Sequence, residues 1–149
     1  MTPGSKRPVF EDLEVPVRLK ISALWAAAMF CYIYADFFNL HEPGRLAKMN
    51  AGIISPFGQA TDGIMLGVSL MMIIPSVLVF LALVMPPSLD RWVNMVLGTA
   101  YSIIIILTMI GAPWFYLFFG AVEVVLTSTI VWYSWTWPRA ASGAVPGAE

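Results

Sequence analysis

Two carboxylic acids stand inside otherwise apolar stretches of this sequence, Asp36 within residues 21–40 and Glu123 within residues 114–135. On insertion scales an acid at mid-membrane costs about 2.5–3.5 kcal/mol, while each Leu, Ile, Phe or Val returns about 0.3–0.6 kcal/mol. The stretch around Asp36 holds seven such residues and the stretch around Glu123 holds ten, so both insert, but neither acid is free of cost. No Lys or Arg lies within either stretch to neutralise the acid at its own depth. Each carboxyl is therefore expected to be neutral part of the time, or to hold a cation or the donor group of a ligand. Such acids also serve as helix glue, hydrogen-bonded to a neighbouring helix, although interhelical polar contacts average only about 0.6 kcal/mol. Tyr32, Tyr101, Thr108, Tyr116 and Asn94 supply hydroxyl and amide groups on the heptad stripes of the apolar stretches, and complete the set of candidate ligand- or ion-binding residues.

The elements that must position these groups follow from composition. The 149 residues are 59% apolar and 11% charged, with a mean hydropathy of +0.79, whereas a soluble domain carries about 25% charged residues. A water-facing surface cannot be covered, and the chain reads as an integral membrane protein. Four stretches reach the roughly 20 residues a spanning helix needs: 21–40, 62–85, 92–110 and 114–135. A net charge of −1 offers no basic face for nucleic acid. A lone Cys31 and a lone His41 exclude an internal disulfide, a zinc cluster and a His-rich metal site. Neither a phosphate-binding glycine loop nor a Ser/His/Asp set is visible, so no catalysis and no cofactor are expected.

The acidic residues near the N-terminus and Asp36 itself argue against a cleaved signal peptide. Pro86 to Arg91 reads as a short connection and Gly111-Ala112-Pro113 as a tight hairpin turn. Residues 41–61 form the one long loop, with Ala47-Lys48-Met49 placed at the membrane surface, and residues 138–149 read as a disordered tail. Six Lys/Arg (Lys6, Arg7, Arg18, Lys20, Arg91, Arg139) fall on one side and two (Arg45, Lys48) on the other. The positive-inside rule then places the 1–20 segment, the C-terminus and the 86–91 connection in the cytoplasm.

At heptad spacing the spans give four stripes: Ser22, Trp25, Met29, Tyr32, Asp36, Asn39; Asp62, Ser69, Ser76; Asn94, Gly98, Tyr101, Ile105, Thr108; and Tyr116, Gly120, Glu123, Thr127, Ile130, Ser134. This 3–4 step is the seam of a left-handed bundle, so the expected fold is all-α: four transmembrane helices in an antiparallel bundle with a polar interior. Depth counting at about 1.5 Å per residue sets Tyr101 opposite Glu123 and Asp36 level with Thr108 and Tyr116. Pro75 is expected to kink its span, and Gly63 with Gly67 to allow close packing.

Several segments together resemble a known family. Glu11-Asp12-Leu13, Pro16-Val17-Arg18-Leu19-Lys20, Ser22-Ala23-Leu24-Trp25, Tyr32-Ile33-Tyr34-Ala35-Asp36 and Pro43-Gly44 are similar to the opening of a family of small bacterial four-helix membrane proteins catalogued as a domain of unknown function. The likeness continues through Pro75, Arg91-Trp92-Val93-Asn94, Glu123 and Trp132-Tyr133-Ser134-Trp135-Thr136-Trp137-Pro138, with Ala35 and Thr136 where the family carries glycine and often lysine. The resemblance implies the four-helix topology and a bacterial inner-membrane location, and no activity or cofactor. Two functions remain open. The interior carboxyls bind or transport a proton, a cation or a small ligand, or the protein is a structural or accessory subunit. Its partners are expected to be the bilayer and a homo-oligomer or larger membrane complex.

Overall fold

The computed structural model describes residues 14–54 and 58–138. The expected tail beyond Pro138, and most of the N-terminal segment, lie outside the described residues. Five helices and one small hairpin follow in order: α1 (Val17–Asn39), α2 (Arg45–Asn50), β1 (Ile53–Ile54), β2 (Gly58–Gln59), α3 (Asp62–Val84), α4 (Pro87–Thr108) and α5 (Trp114–Trp135). Helices α1, α3, α4 and α5 are each 22 or 23 residues long and apolar enough to cross a membrane. At 1.5 Å per residue they reach about 33 Å, against a hydrocarbon core of about 30 Å. The protein is an all-α bundle of four candidate membrane helices. The loop after α1 is more ordered than a bare connection: α2 covers the Ala47-Lys48-Met49 stretch, and β1 pairs antiparallel with β2.

Helix α4 begins five residues before the expected span. Pro87 occupies its first turn, where a missing N–H costs nothing, and Asp90 follows as the first-turn acid favoured by the helix dipole. The connection between α3 and α4 is therefore only Met85 and Pro86. Between α4 and α5 the chain turns at Gly111, whose φ of 76° suits a residue without a Cβ.

Helix α1 packs against α3 on one side and α5 on the other, α5 packs against α4, and α3 meets α4 only sparsely. In lipid the hydrophobic effect does not press helices together, so close packing and polar contacts must do so. Gly98 shows how: a Cβ there would fall 2.9 Å from Val131 Cγ2 and 3.3 Å from the Thr127 carbonyl, so α4 and α5 approach at contact distance. The core of Ile21, Trp25, Leu78, Ala82, Tyr101 and Ile130 joins all four long helices.

Two of the four stripes face inward as expected, since Asn94, Gly98, Tyr101 and Ile105 of α4 and Gly120, Glu123, Thr127, Ile130 and Ser134 of α5 are buried. The other two need correction. On α1 the buried residues are Ile21, Ser22, Trp25, Ala28 and Ala35, so the seam passes through the alanines and not through Met29 and Asp36. Small residues allow helix approach in lipid; Ser22 and Trp25 lie on both the expected stripe and the buried face, and beyond Trp25 the buried positions Ala28 and Ala35 each precede the expected Met29 and Asp36 by one residue. On α3 the buried residues are Pro75, Leu78 and Ala82, all in its second half. Asp62, Ser69 and Ser76 are exposed, and the two serines donate to their own helix's Met65 and Met72 carbonyls.

Candidate functional site

Polar groups in the bundle fall into two clusters: the first is a hydrogen-bonded chain in which Asp90 Oδ2 and Ser134 Oγ are buried without a partner among the described residues, whereas in the second the Glu123 side chain makes no hydrogen bond at all. The first lies in the half of the bundle that carries the start of α1. Trp25 Nε1 donates to Asn94 Oδ1 at 2.7 Å, and Asn94 Nδ2 donates to Asp90 Oδ1 at 2.6 Å and to the Asp90 carbonyl at 2.8 Å. All three side chains are fully buried. Asp90 lies within range of the Arg18 charge, and Arg18 itself donates to the Leu83 carbonyl and sits over the Trp137 ring. Arg91 donates from Nε to the Ser134 carbonyl at 3.0 Å and from Nη2 to that of Trp135 at 3.4 Å, serving the last turn of α5, where carbonyls lack helical partners. This network ties α1 to α4 and α4 to α5.

Besides that of Arg18, further side-chain hydrogen bonds reach α3 from the rest of the bundle: Ser22 Oγ of α1 donates to the Val79 carbonyl at 2.7 Å, and Tyr101 of α4 reaches the Met71 carbonyl. Pro75 has no N–H, so the Met71 carbonyl four residues earlier loses its helical donor. The Tyr101 hydroxyl replaces it, donating to Met71 O at 2.6 Å, while the ring meets Trp25 edge-on at 5.7 Å. Next to it, the Ser102 and Thr127 hydroxyls lie 2.7 Å apart between α4 and α5, and Thr127 also donates to the Glu123 carbonyl.

The second cluster lies beyond this layer, in the half where α1 ends. Glu123 is 4% exposed, and its side chain makes no hydrogen bond among the described residues, with Oε1 fully shielded and unpartnered. The Tyr32 hydroxyl is likewise buried without a partner. Tyr32 lies within charge-interaction range of Glu123, Tyr101, Tyr116 and Asp36, and Glu123 within that of Asp36. Tyr116 stands beside Thr108 and near both acids, and Thr108 Oγ1 donates to the Ile105 carbonyl. Neither acid meets a base: among the described residues the one ion pair joins Arg45 to Glu42 at 2.7 Å. No group of three or more His, Cys, Asp or Glu stands together among the described residues.

The seven expected site residues thus divide. Tyr32, Asp36, Thr108, Tyr116 and Glu123 gather at one end of the bundle. Asn94 belongs to the other cluster, and Tyr101 lies between them. The Tyr101 hydroxyl is bonded to the Met71 carbonyl of α3 and not to Glu123, the partner that depth counting suggested. Asp36 is exposed at the rim of the bundle and not in its interior. Asp90 and Arg18 were missed, since both sat in segments read as connections. The signal for Asp90 was present in Pro86-Pro87 followed by an acid, which marks a helix start and not a loop.

Comparison with known proteins gives one match. A family model described as "Family of unknown function (DUF6326)" matches residues 9–143. No curated protein and no solved structure matches the chain.

Proposed function

The chain belongs to that family of unknown function, and from this premise we propose that it is a multi-pass membrane protein binding a monovalent cation or proton at the Glu123–Asp36 cluster. One observation carries the reading: the Glu123 carboxyl is buried but unbonded. A carboxyl kept as glue would be hydrogen-bonded across a helix interface, as Asn94 is to Trp25 and Asp90. Burying a carboxyl oxygen without a hydrogen bond costs about 1–3 kcal/mol or more, a cost that a bound proton or cation would offset. Two acids without a base favour a positive occupant, and the Tyr32 hydroxyl adds a neutral oxygen ligand. With two carboxyls and hydroxyl oxygens, the all-oxygen donor set suits a proton or a hard cation and not a soft metal. Asp36 at the exposed rim would give the occupant its way in. The reading includes no covalent catalysis, a bacterial inner membrane, and both termini in the cytoplasm, the last on the six-to-two Lys/Arg asymmetry.

A second reading, an accessory subunit of a larger complex, is favoured by α3. No residue of its first nine is buried, and Gly63 and Gly67 face open space, which leaves room for another helix.

Proton release on cation addition separates the two. Purified protein in weakly buffered detergent, with a pH-indicator dye, is titrated with NaCl or KCl against a choline chloride control. The cation-binding reading expects proton release from wild type that is lost in Glu123→Gln and reduced in Asp36→Asn. No release above the choline control at any pH between 5 and 9 would exclude Na⁺ and K⁺ as occupants; if the pH dependence of thermal stability is then also the same in wild type and Glu123→Gln, the accessory reading stands in its place.

A further inference from the structure

A second feature of the molecule is apolar and lies on the opposite half from Glu123. Between the first turns of α1 and the last turns of α5 runs an open groove of about 510 Å³, lined by Leu19, Lys20, Ala23, Leu24, Thr129 and Tyr133. That volume falls within the about 300–1,000 Å³ of ordinary small-molecule sites. Its walls are apolar along their length, because the Thr129 hydroxyl is spent on the Val125 carbonyl of its own helix. Polarity is confined to one end, where the Lys20 ammonium sits 5.4 Å from the centre of the Tyr133 ring. Lys20 makes no ion pair among the described residues, and no carboxylate lines the groove.

We propose that this groove holds one acyl chain of an anionic phospholipid, with the headgroup phosphate met by Lys20. Three observations converge on that occupant. Along α1 the groove's lining runs from Leu19 to Leu24, about 8 Å at 1.5 Å per residue, with Val15 just before the helix, and this fits inside one leaflet of a hydrocarbon core about 30 Å thick. Its charged end coincides with the level where Arg18, Arg91, Trp132, Trp135 and Trp137 gather, the basic and aromatic composition of a membrane interface. Among the described residues its single charge is positive and meets no carboxylate, which selects an anionic headgroup over a zwitterionic one. A Lys stem lying along apolar wall with its ammonium at the rim is how a lysine behaves at that depth.

The test is lipid retention. The full chain is reconstituted in nanodiscs of equal phosphatidylglycerol and phosphatidylcholine with matched acyl chains, and retained lipid is counted by native mass spectrometry. Wild type is expected to keep phosphatidylglycerol several-fold over phosphatidylcholine. Lys20→Gln should bring the ratio to parity, Lys20→Arg should keep it, and Ala23→Phe, which fills the groove from its exposed side, should lower total retention. Lys48→Gln, at the other end of the bundle, should change nothing. Thermal unfolding in phosphatidylcholine alone checks that each variant is folded. Equal retention of the two lipids by wild type, the result if residues 1–13 or a second copy occupied the groove, would overturn the proposal. So would a preference that survives in Lys20→Gln, or one that Lys48→Gln abolishes equally.

Discussion

Asn94 and Glu123 are both buried polar side chains in apolar helices, yet their surroundings give them different work. The Asn94 amide uses its oxygen on Trp25 and its nitrogen on Asp90, so its removal strands two fully buried groups at once. Asn94→Ala should destabilise the protein by about 1–3 kcal/mol, measured by reversible unfolding in mixed micelles. Glu123 bonds nothing through its side chain, so Glu123→Gln should leave the unfolding free energy in cation-free buffer nearly unchanged. A loss as large as that of Asn94→Ala would make Glu123 a packing residue. At this scale the sequence was informative where a polar residue interrupts an apolar run, as at Asn94 and Glu123. It was silent at Asp90, because an acid beside Pro86-Pro87 has the composition of a loop as well as of a helix start. It misled at Asp36, where Ala35, with no chemistry to draw notice, is the residue that meets the neighbouring helix.

Among the elements, α3 depends on a substitution of one hydrogen bond for another. Pro75 removes the donor for Met71 O, and Tyr101 restores it from α4, so the sparse α3–α4 contact is held by a bond that the proline created. Tyr101→Phe should therefore cost about 1 kcal/mol or more in wild type but little in a Pro75→Ala background, where the residue 75 N–H is available again. A double-mutant cycle of unfolding free energies reads the coupling, and additive losses would contradict this account. The α4–α5 pair depends on a different feature. Gly98→Ala should destabilise by about 1–3 kcal/mol, because its Cβ has Val131 at 2.9 Å and the Thr127 backbone at 3.3 Å. The inward face of α4 and α5, whose glycines and polar residues share one heptad, was legible from the sequence, as was the donor that Pro75 removes from α3. What took up the freed carbonyl was not, since that depends on which helix lies across from α3. The exposure of Asp62, Ser69 and Ser76 has the same origin. A polar stripe reveals a face, but it does not reveal whether a partner within the same chain covers it.

For the whole molecule, the four apolar helices and their short connections were readable from length and hydropathy alone, while the neighbour relations were not. Helix α1 at the centre, flanked by α3 and α5, is set by Trp25, Ala28 and Ala35, residues whose packing role shows only in three dimensions. Orientation across the membrane rests on charge. Single cysteines at Lys48 and Ser88, both exposed, in a Cys31→Ser background should give opposite labelling by an impermeant thiol reagent on intact cells, with position 48 labelled and position 88 protected. The reverse pattern would turn the molecule over and place the Glu123–Asp36 cluster toward the cytoplasm.

The central claim, that the Glu123–Asp36 cluster takes up a cation or proton and does not merely hold helices together, is tested most directly by thermal stability in detergent. Wild type, Glu123→Gln and Asp36→Asn are melted from acid to alkaline pH, with Na⁺ or with choline at equal ionic strength. A bound cation stabilises by RT ln(1 + [L]/Kd), and it requires the ionised carboxylate. Wild type should therefore gain melting temperature with Na⁺, more at alkaline than at acid pH, and about 2.7 kcal/mol of stability would correspond to saturation at one hundred times Kd. If a proton is the occupant, the Na⁺ and choline curves of wild type coincide, but they still diverge from those of Glu123→Gln as pH changes. Glu123→Gln should be flat in both respects. Curves identical in shape for all three proteins, with and without Na⁺, would contradict the claim.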